Sequence, residues 1–454
     1  MRITLIGHAT LVVESAGETI LVDPLLGRSF ASGAIGFFPD RHLELEKMPR
    51  PTAIVVTHSH IDHYDAPSLA LLPKQVPVLI PPDDWLEAQL RHLGFQSIAR
   101  LEPWAQHQRG ALKMTAIPSH LKWPELGIVF DDGAARFWDV SDCLVDPELG
   151  ERVRREFGPI DVVAAKFQPG NVLVGYQRNL GTSFDEKAEV VRWLEAAARA
   201  EPRYVFPWAF GVRYRGEHRW ANRYAFPFEP RHAAELLARR LGDQERTGTV
   251  LPGDVIEVEG GAVTHHRQRS GFVRHRPRTP PVWEPVEPGT LPGLKKGPLR
   301  AELVERLEQF LAGPYTEWLG RSLAPEGPLA DFPRGDVVWQ LVVHLGKKKR
   351  LYYGFDFRKR GASIERGQLP DANYFAHLSG KSLLRVLRGE AGNELFWIAG
   401  DYRVAERILT LREGKVWYPP LQGWSLFEVL PEPLTLCLRW LYPSGQLTPH
   451  VVET

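Results

Sequence analysis

The sequence predicts an α/β protein that is built from two domains. Three observations lead to this prediction. Strand-like and helix-like segments alternate from the N-terminus onward, and this alternation is typical of α/β folds. The chain has 454 residues, which is more than one ordinary hydrophobic core accommodates. A stretch rich in Pro, Arg, His and Gly over residues 265–298 has the composition of a linker between two domains.

The composition is that of an ordinary globular protein, and it excludes several classes of function. The formal net charge of +1 gives no bulk electrostatic attraction to nucleic acid or to an anionic membrane. Two cysteines, Cys143 and Cys437, are too few for a disulfide framework or a four-cysteine metal site, and they fit a reducing cytoplasm. The sequence shows neither a signal-peptide pattern nor an apolar run of about 18 residues. We therefore expect a cytoplasmic protein without a membrane span that acts on a small molecule.

The N-terminal segment is predicted to form three strands over residues 2–24, because aliphatic residues recur and Ala16-Gly17 is a hairpin turn signal. His8 and Asp23 are polar residues at the ends of these strands. Residues 25–50 then combine glycines and aromatic residues with little periodicity. Long irregular loops in compact domains are often binding loops. This segment is therefore predicted to be either a lid over a site or an ordinary surface loop.

The pattern His-x-His-x-Asp-His over residues 58–63 is the most informative motif of the sequence. It follows an apolar, β-branched stretch over residues 53–57 that is predicted to be a buried strand. It precedes a predicted short helix over residues 66–72. The motif is therefore expected on the loop that leaves a strand, where a rigid scaffold presents side chains into a cleft.

All four polar residues of this motif are potential metal ligands. Side chains alternate along an extended segment, so His58 and His60 are predicted to point to one side and to share a metal ion. Asp62 and His63 follow as the chain turns, so they are predicted to serve a second ion. Imidazole and carboxylate together suit zinc or iron. The alternative interpretation is a solvated loop that binds no metal.

The motif resembles the signature of the metallo-β-lactamase superfamily, whose fold is an αββα sandwich with a one- or two-metal site at the sheet edges. The phrases Gly7-His8-Ala9-Thr10 and Leu21-Val22-Asp23-Pro24 resemble the opening of the same superfamily. The resemblance implies that Asp23 supports the metal-binding histidines, since such partners fix the tautomer and orientation of an imidazole. His8 is assigned the same supporting role, with a capping or core histidine as the alternative. The predicted fold is thus an αββα sandwich over residues 1–264.

The resemblance also implies two further ligands at the ends of later strands. A predicted strand over residues 112–117 leads to His120, which would complete a three-histidine set with the first two histidines of the motif. A predicted hairpin strand leads to Ser141-Asp142-Cys143. Asp142 is in register with the carboxylate that bridges two metals in the superfamily, and Asp139 is the alternative.

The histidine that usually completes the second site in dinuclear members of the superfamily is missing. Trp208 lies near its expected position, and Asn222 begins a phrase where some members carry His-x-Pro. His218 is an alternative ligand in a charged loop. The prediction is therefore one or two divalent metal ions, with zinc as the first expectation and iron as the second.

Residues 299–454 are predicted to form a smaller α+β domain without a catalytic constellation. Helices are predicted over residues 299–311 and 374–387 and from residue 402, with strands over residues 337–343 and 351–355. The segments around Leu378–Gly389 and Ala399–Tyr402 resemble sterol-carrier-like α/β domains. An accessory structural or dimerisation domain is the alternative.

Two functions follow as hypotheses. The first is a metal-dependent hydrolase of esters, lactones or phosphodiesters, in which Asp62 orients the attacking water or acts as general base. The second is a non-haem diiron oxygenase, because the first domain is similar to the metal-binding portion of the CMP-N-acetylneuraminate hydroxylases and their relatives that act on nucleotide sugars. Those enzymes pair with a Rieske centre, whose Cys-x-His and Cys-x-x-His pairs this sequence does not contain. The electron donor would then be a separate protein, and a degenerate binding protein is a third alternative.

Overall fold

The structure is a computed structural model that describes most of the chain. The described residues are 1–119, 124–166, 194, 198–208, 212–222, 230–276, 291–294, 297–325, 329, 332–335, 337–346, 348–359, 363–391, 395, 401–406, 410–412 and 415–417. The chain divides into two compact units at residues 286–287. The predicted ligand His120 and the segment that follows Lys166 lie outside the described residues.

Two large β-sheets form the framework of the first unit. The strands of the eight-stranded sheet are, in sheet order, β18 (Ala262–His266), β17 (Val255–Glu259), β1 (Arg2–Gly7), β2 (Thr10–Ser15), β3 (Glu18–Val22), β7 (Ala53–Val55), β8 (Val78–Ile80) and β9 (Ile98–Arg100). The strands of the six-stranded sheet are β10 (Gln106–Arg109), β11 (Leu112–Pro118), β12 (Leu126–Asp131), β13 (Arg136–Asp139), β14 (Val162–Lys166) and β15 (Tyr204–Trp208). The three predicted N-terminal strands and the predicted hairpin are confirmed.

Helices cover one face of the eight-stranded sheet. The helices described in the first unit are α1 (Ala66–Ala70), α2 (Asp84–His92), α3 (Pro147–Phe157) and α4 (Pro230–Leu241), with short 3-10 turns at Ala31–Gly33, Leu45–Lys47 and Gly216–Ala221. Leu69 of α1 and Leu86 and Leu90 of α2 share a core with Ile54 of β7 and Ile80 of β8. Burial of this apolar surface holds helices and sheet together. The predicted mixed α/β class is confirmed.

Two smaller sheets organise the segment that was predicted to be an irregular loop. The first consists of β16 (Val212–Tyr214), β5 (Ile35–Phe37) and β4 (Ser29–Phe30), in that order. The second is a ribbon of β6 (Arg41–Leu43) and β19 (Val273–His275). The prediction of an unstructured loop over residues 25–50 is therefore wrong. Its short strands pair with residues far along the chain, which local periodicity does not reveal.

The predicted linker also differs from the structure at its start. Residues 265–266 lie in β18 and residues 273–275 in β19, so this stretch belongs to two sheets of the first unit rather than to an extended linker. His265 is held by its imidazole, whose Nε2 lies 2.9 Å from Asp254 Oδ2. The proline-rich composition that suggested a linker is concentrated after residue 276, outside the described residues.

The second unit contains a five-stranded sheet in the order β22 (Glu365–Arg366), β21 (Arg350–Asp356), β20 (Val338–His344), β23 (Tyr374–Ser379) and β24 (Tyr402–Glu406). The other elements described in this unit are α5 (Pro298–Phe310), a π-helical turn at Leu311–Tyr315, α6 (Thr316–Ser322), a 3-10 turn at Phe332–Gly335, α7 (Gly380–Leu387), β25 (Thr410–Arg412) and β26 (Lys415–Trp417). The predictions of helix over residues 374–379 and from residue 402 are wrong. Both segments are strands, and they pair with each other.

None of the helices described in the two units combines the length and the hydropathy that crossing a membrane requires.

Candidate metal centre

The predicted motif lies on a tight loop between β7 and α1. The backbone N–H groups of His63 and Tyr64 both donate to the carbonyl oxygen of His60, at 2.9 and 2.7 Å, and these bonds turn the chain back. Asp65 ends the loop as the N-cap of α1, where its side chain accepts from the backbone N–H of Ser68. Capping satisfies a helix N–H that has no partner within the helix. The loop is therefore held at both ends.

Asp23 and Thr57 form a buried support beneath this loop. Asp23, at the end of β3, is fully buried and adopts a positive φ of 45°. Its Oδ1 accepts from the Thr57 backbone N–H at 2.8 Å, and its Oδ2 accepts from Thr57 Oγ1 at 2.7 Å. The same Oδ2 lies 2.7 Å from His63 Nδ1. Because a carboxylate can only accept, His63 Nδ1 carries a proton toward Asp23, and His63 Nε2 faces the opposite way.

His58, His63 and Asp142 form the first of two groups that could hold a metal ion, with one ligand atom of each residue within 4.8 Å of the others. His63 Nε2 lies 3.7 Å from Asp142 Oδ1. Both atoms are buried, and neither has a hydrogen-bond partner among the described residues. Leaving two such atoms unsatisfied is costly. An ion about 2.0–2.2 Å from each atom fits between them and would satisfy both. The donor set therefore fits a divalent metal.

His8, Asp62 and His63 form the second group. His8 Nε2 lies 3.1 Å from Asp62 Oδ2, and the same Oδ2 lies 3.9 Å from His63 Nε2. Burial alone would raise the pKa of Asp62, but the neighbouring imidazoles of His63 and His8 outweigh it and hold this pKa well below its usual range. His8 is buried at a positive φ of 51°. His8 is thus placed where a ligand or a supporting partner of Asp62 would stand.

His60 lies beside His58 but belongs to neither of the two groups. His58 Nε2 lies 2.8 Å from His60 Nδ1, so the sharing of one ion by these two histidines stays a prediction. The predicted separation of the motif into two halves is not observed, because the rings of His58 and His63 are only 4.1 Å apart. The bond from Asp23 draws His63 back toward His58, so His63 belongs to both groups.

Electrostatics at the site favour charged carboxylates. Burial raises the pKa of Asp142, but Lys166 and His63 outweigh burial and lower this pKa to about 2. Lys166 Nζ donates to the Asp142 carbonyl oxygen at 2.7 Å and lies 3.5 Å from Asp142 Oδ2. For His63, burial opposes protonation, but Asp23, Asp62 and Asp142 outweigh burial and raise the pKa to about 10. The negative charge of these buried carboxylates favours the binding of a cation such as a metal ion.

The alternatives named from the sequence lie outside the two groups that the described residues form. Asp139 is buried and accepts from the Ser141 backbone N–H at 3.1 Å, and burial and Asp23 raise its pKa to about 8. His218 is buried in the 3-10 turn at Gly216–Ala221 and joins neither group. Asn222 bonds the backbone of Tyr214 with both ends of its amide. Asp142 is therefore the better placed carboxylate, and its role as a ligand stays a prediction.

Thr57, Ser141 and Lys166 contribute to the site without having been singled out from the sequence. Thr57 Oγ1 lies 2.8 Å from Ser141 Oγ, and since Thr57 donates to Asp23, Ser141 donates to Thr57. This bond joins the loop after β7 to the loop after β13, that is, the edges of the two sheets. The available signal for Thr57 was its position directly before the motif. Lys166 begins the loop after the predicted strand over residues 161–165, which was expected to line the substrate cleft, whereas Ser141 gave no such signal.

Replacement of Thr57 by Val is expected to loosen the support of His63. The change keeps the shape of the side chain but removes a buried hydroxyl with partners on both sheets, so the free energy of unfolding should fall by about 1–3 kcal/mol. The affinity for metal should fall about 10-fold, as for other residues that orient a ligand. Thr52→Val is the control, because it removes the hydroxyl that bonds Glu18 and Thr19 away from the site. Equal metal affinity in both variants, from calorimetric titration, would contradict the role given to Thr57.

The site lies in a domain that known proteins share. Residues 18–172 match the model of the beta-lactamase superfamily domain. This segment carries Asp23, the motif over residues 58–63 and Asp142, which are the residues that the structure brings together. The domain therefore belongs to the metallo-β-lactamase superfamily, as the resemblance implied.

The relatives of this chain include proteins with different activities. A 4-amino-L-phenylalanyl-[CmlP-peptidyl-carrier-protein] 3-hydroxylase of Streptomyces venezuelae is 27% identical over 282 residues, which cover 54% of this chain and 51% of the hydroxylase. A metal-dependent hydrolase of Rubrobacter xylanophilus is 24% identical over 265 residues, which cover 56% of this chain and 96% of the hydrolase. The crystal structure of CmlA, a diiron β-hydroxylase from Streptomyces venezuelae, aligns with a TM-score of 0.41 at 19% identity and covers 55% of this chain and 53% of that chain.

The chain covers only part of several relatives. It spans about a third of the length of the first curated relatives that it matches, which are mycobacterial proteins named as Rieske 2Fe-2S iron-sulfur proteins. It spans about half of the hydroxylase. The superfamily is thus one of enzymes, and its members that resemble this chain include hydrolases and a hydroxylase.

Proposed function

We propose that the first unit is a metal-dependent hydrolase that cleaves an ester, lactone or phosphodiester. The observation that carries the proposal is a pair of buried ligand atoms, His63 Nε2 and Asp142 Oδ1, that face each other across 3.7 Å and have no hydrogen-bond partner among the described residues. The similarity to the metal-dependent hydrolase of Rubrobacter xylanophilus adds support. The matched region covers 96% of that protein.

The metal would be held by His58, His60, His63 and Asp142, with His120 as the further ligand that the sequence implies. When bound at such a site, a divalent cation lowers the pKa of a bound water toward about 7 and polarises a carbonyl or phosphoryl oxygen. The chain's own contribution is orientation. Asp23 fixes the His63 tautomer, and Lys166 holds the loop of Asp142 through the Asp142 carbonyl oxygen.

Asp62 is the proposed general base. Its low pKa keeps the carboxylate charged at neutral pH, and His8 fixes Oδ2 by a contact of 3.1 Å. About a sixth of its side chain is exposed, in contrast to the fully buried side chain of His63. A water on the exposed side of Asp62 can therefore give a proton to the carboxylate. General base catalysis of this kind contributes about 10²–10⁴-fold to the reaction rate.

Asp62→Asn tests this role. The variant keeps the shape of the side chain and removes the acceptor charge, so hydrolysis of the best substrate found by screening esters, lactones and phosphodiesters should fall about 10²–10⁴-fold. Far-UV circular dichroism should be unchanged. Elemental mass spectrometry gives the metal content of each preparation. Activity lost with the general base can thus be distinguished from activity lost with the metal. Turnover at the wild-type rate by a metal-loaded Asp62→Asn protein would overturn the assignment.

A diiron oxygenase is the second candidate function. The observation that favours it is the similarity to the 3-hydroxylase of Streptomyces venezuelae over 282 residues. Aspartate and histidine ligands suit iron as well as zinc. Protein purified without added metal or chelator distinguishes the candidates. Near-stoichiometric zinc supports the hydrolase, whereas two irons per chain and oxygen consumption with a separate electron-donor protein support the oxygenase.

A further inference from the structure

A basic cavity lies on the ribbon of β6 and β19, and none of its residues belongs to the two metal-binding groups. Its volume is about 520 Å³, within the range of small-molecule sites. The residues that line it are His42, Gln268, Arg274, His275 and Arg276. None of these five is a carboxylate, two are arginines and two are histidines. The lining therefore offers donors of hydrogen bonds and positive charge.

Strand pairing places two of these basic residues side by side. β6 and β19 are antiparallel, and Arg274 lies directly opposite His42 in the register. Directly opposed residues share one face of a ribbon with Cβ atoms about 4.5–5.5 Å apart, and like charges in such pairs are destabilising. The side chains of the next pair, Arg41 and His275, point to the opposite face of the ribbon, and Arg41 is buried. Arg274 and His42 thus share the outer face of the ribbon, where an anion would pair with the guanidinium of Arg274.

Hydrogen bonds and a close approach of two backbone segments hold the floor of the cavity. Gln268 Nε2 donates to the carbonyl oxygen of Pro252 at 2.8 Å and to Asp254 Oδ1 at 3.0 Å, while Gln268 Oε1 accepts from the His275 backbone N–H at 3.1 Å. Gly253, at a φ of +94°, lets the ribbon approach so closely that an added Cβ would lie 2.6 Å from the Val273 carbonyl oxygen. Preorganisation of this kind lowers the cost of ordering a site when it binds.

Two carboxylates, Asp40 and Glu44, lie near these basic side chains. Asp40 Oδ2 lies 3.8 Å from Arg276 Nη1, at the long end of an ion pair. Glu44 is paired mainly with Lys47, and His42 and Arg274 act on it at longer range. An anion that brings several acceptor oxygens would pair with the guanidinium of Arg274 on the outer face.

We infer that this cavity binds a phosphate-bearing small molecule. Phosphate oxygens accept bidentate hydrogen bonds from arginine and are stabilised by nearby cations. The volume exceeds that of one phosphate group, so the ligand has a body beyond its phosphate, as a nucleoside diphosphate has. The net charge of +1 for the whole chain argues against a long polyanion, which would need a wider basic surface.

Calorimetric titration of the full chain with ADP, and separately with inorganic pyrophosphate, tests the inference at physiological salt. Wild-type protein should bind ADP saturably, and Arg274→Gln should bind it about 10-fold more weakly or worse, the effect of one lost charge-assisted hydrogen bond. Arg155→Gln is the matched control, because Arg155 is exposed on α3 in the same unit. It should bind ADP as the wild type does.

Three results would overturn the inference. The first is the absence of saturable ADP binding to wild-type protein whose fold is verified by circular dichroism. The second is equal loss of affinity in Arg274→Gln and Arg155→Gln, which would indicate bulk charge alone. The third is tighter binding of a single-stranded oligonucleotide than of ADP, which would reassign the surface to nucleic acid. Retained metal content in Arg274→Gln would show that the cavity and the metal centre are independent.

Discussion

Asp142→Asn is expected to remove the bound metal and to abolish turnover while the fold persists. Asparagine has the same shape as aspartate, but its amide lacks the negative charge that balances a divalent cation. Asp142 Oδ1 faces His63 Nε2 and has no hydrogen-bond partner in the part of the chain that the structure describes, so the variant loses no described hydrogen bond at this oxygen. Changes in residues that merely orient a ligand cost about 10–100-fold in metal affinity or activity. Loss of a ligand should therefore cost at least roughly 100-fold.

Elemental mass spectrometry of protein purified without chelator gives the metal content of this variant. Asp139→Asn is the matched control, because Asp139 is the neighbouring buried carboxylate and lies outside both metal-binding groups of the described residues. Its amide oxygen can still accept from the Ser141 backbone N–H. The control should retain metal. A metal-loaded Asp142→Asn protein beside a metal-free Asp139→Asn protein would assign the ligand role to Asp139 instead.

Asp23→Asn is expected to weaken metal binding through the tautomer of His63. Wild-type Asp23 accepts a hydrogen bond from His63 Nδ1–H at 2.7 Å, which directs the lone pair for a metal to Nε2. The amide of asparagine, oriented to keep the bond from the Thr57 N–H, presents its NH₂ group to His63 Nδ1. Two donors cannot bond each other, so the His63 proton would move to Nε2 and block the ligand atom. The same tautomer error costs a serine protease about 10⁴-fold in turnover.

We expect the metal affinity of Asp23→Asn to fall about 10–100-fold, measured by competition with a chromophoric chelator. Asp254→Asn provides the control. Asp254 lies 2.9 Å from the imidazole of His265 in the same unit and accepts from two backbone N–H groups, and it belongs to neither metal-binding group. Both variants should lose some stability, and only Asp23→Asn should lose metal. Equal metal affinity in the two proteins would contradict the tautomer argument.

The central residues of the site could be predicted from the sequence because they lie close together along the chain. His58, His60, Asp62 and His63 lie within six residues, and the strand before them and the helix after them have clear local patterns. Asp142 required the resemblance to a family, since nothing local distinguishes it from Asp139. The bond between Thr57 and Ser141 spans 84 residues and involves two common side chains. No periodicity or spacing within the sequence indicates such a contact.

The errors in the second domain have a local physical origin. Residues Tyr374, Ala376 and Leu378 are buried and alternate with partly exposed neighbours, which is the period of a strand. The helical period begins only at Gly380, after Ser379 has capped the helix by accepting from the Ser382 N–H. The prediction of a single helix over residues 374–387 therefore combined a strand pattern with the helix pattern that follows it. The strand from Tyr402 was missed because it is defined by pairing with residues 374–378.

His63 stands in both metal-binding groups, and this limits the stoichiometry of the site. An imidazole nitrogen has one lone pair, and Nδ1 of His63 is committed to Asp23. Nε2 can thus coordinate one ion at a time, either beside Asp142 or beside Asp62 and His8. Within the described residues, the two groups are rival positions for a single ion. A lone cation could exchange between them, and simultaneous occupancy would require a donor from elsewhere to replace His63 in one of the two.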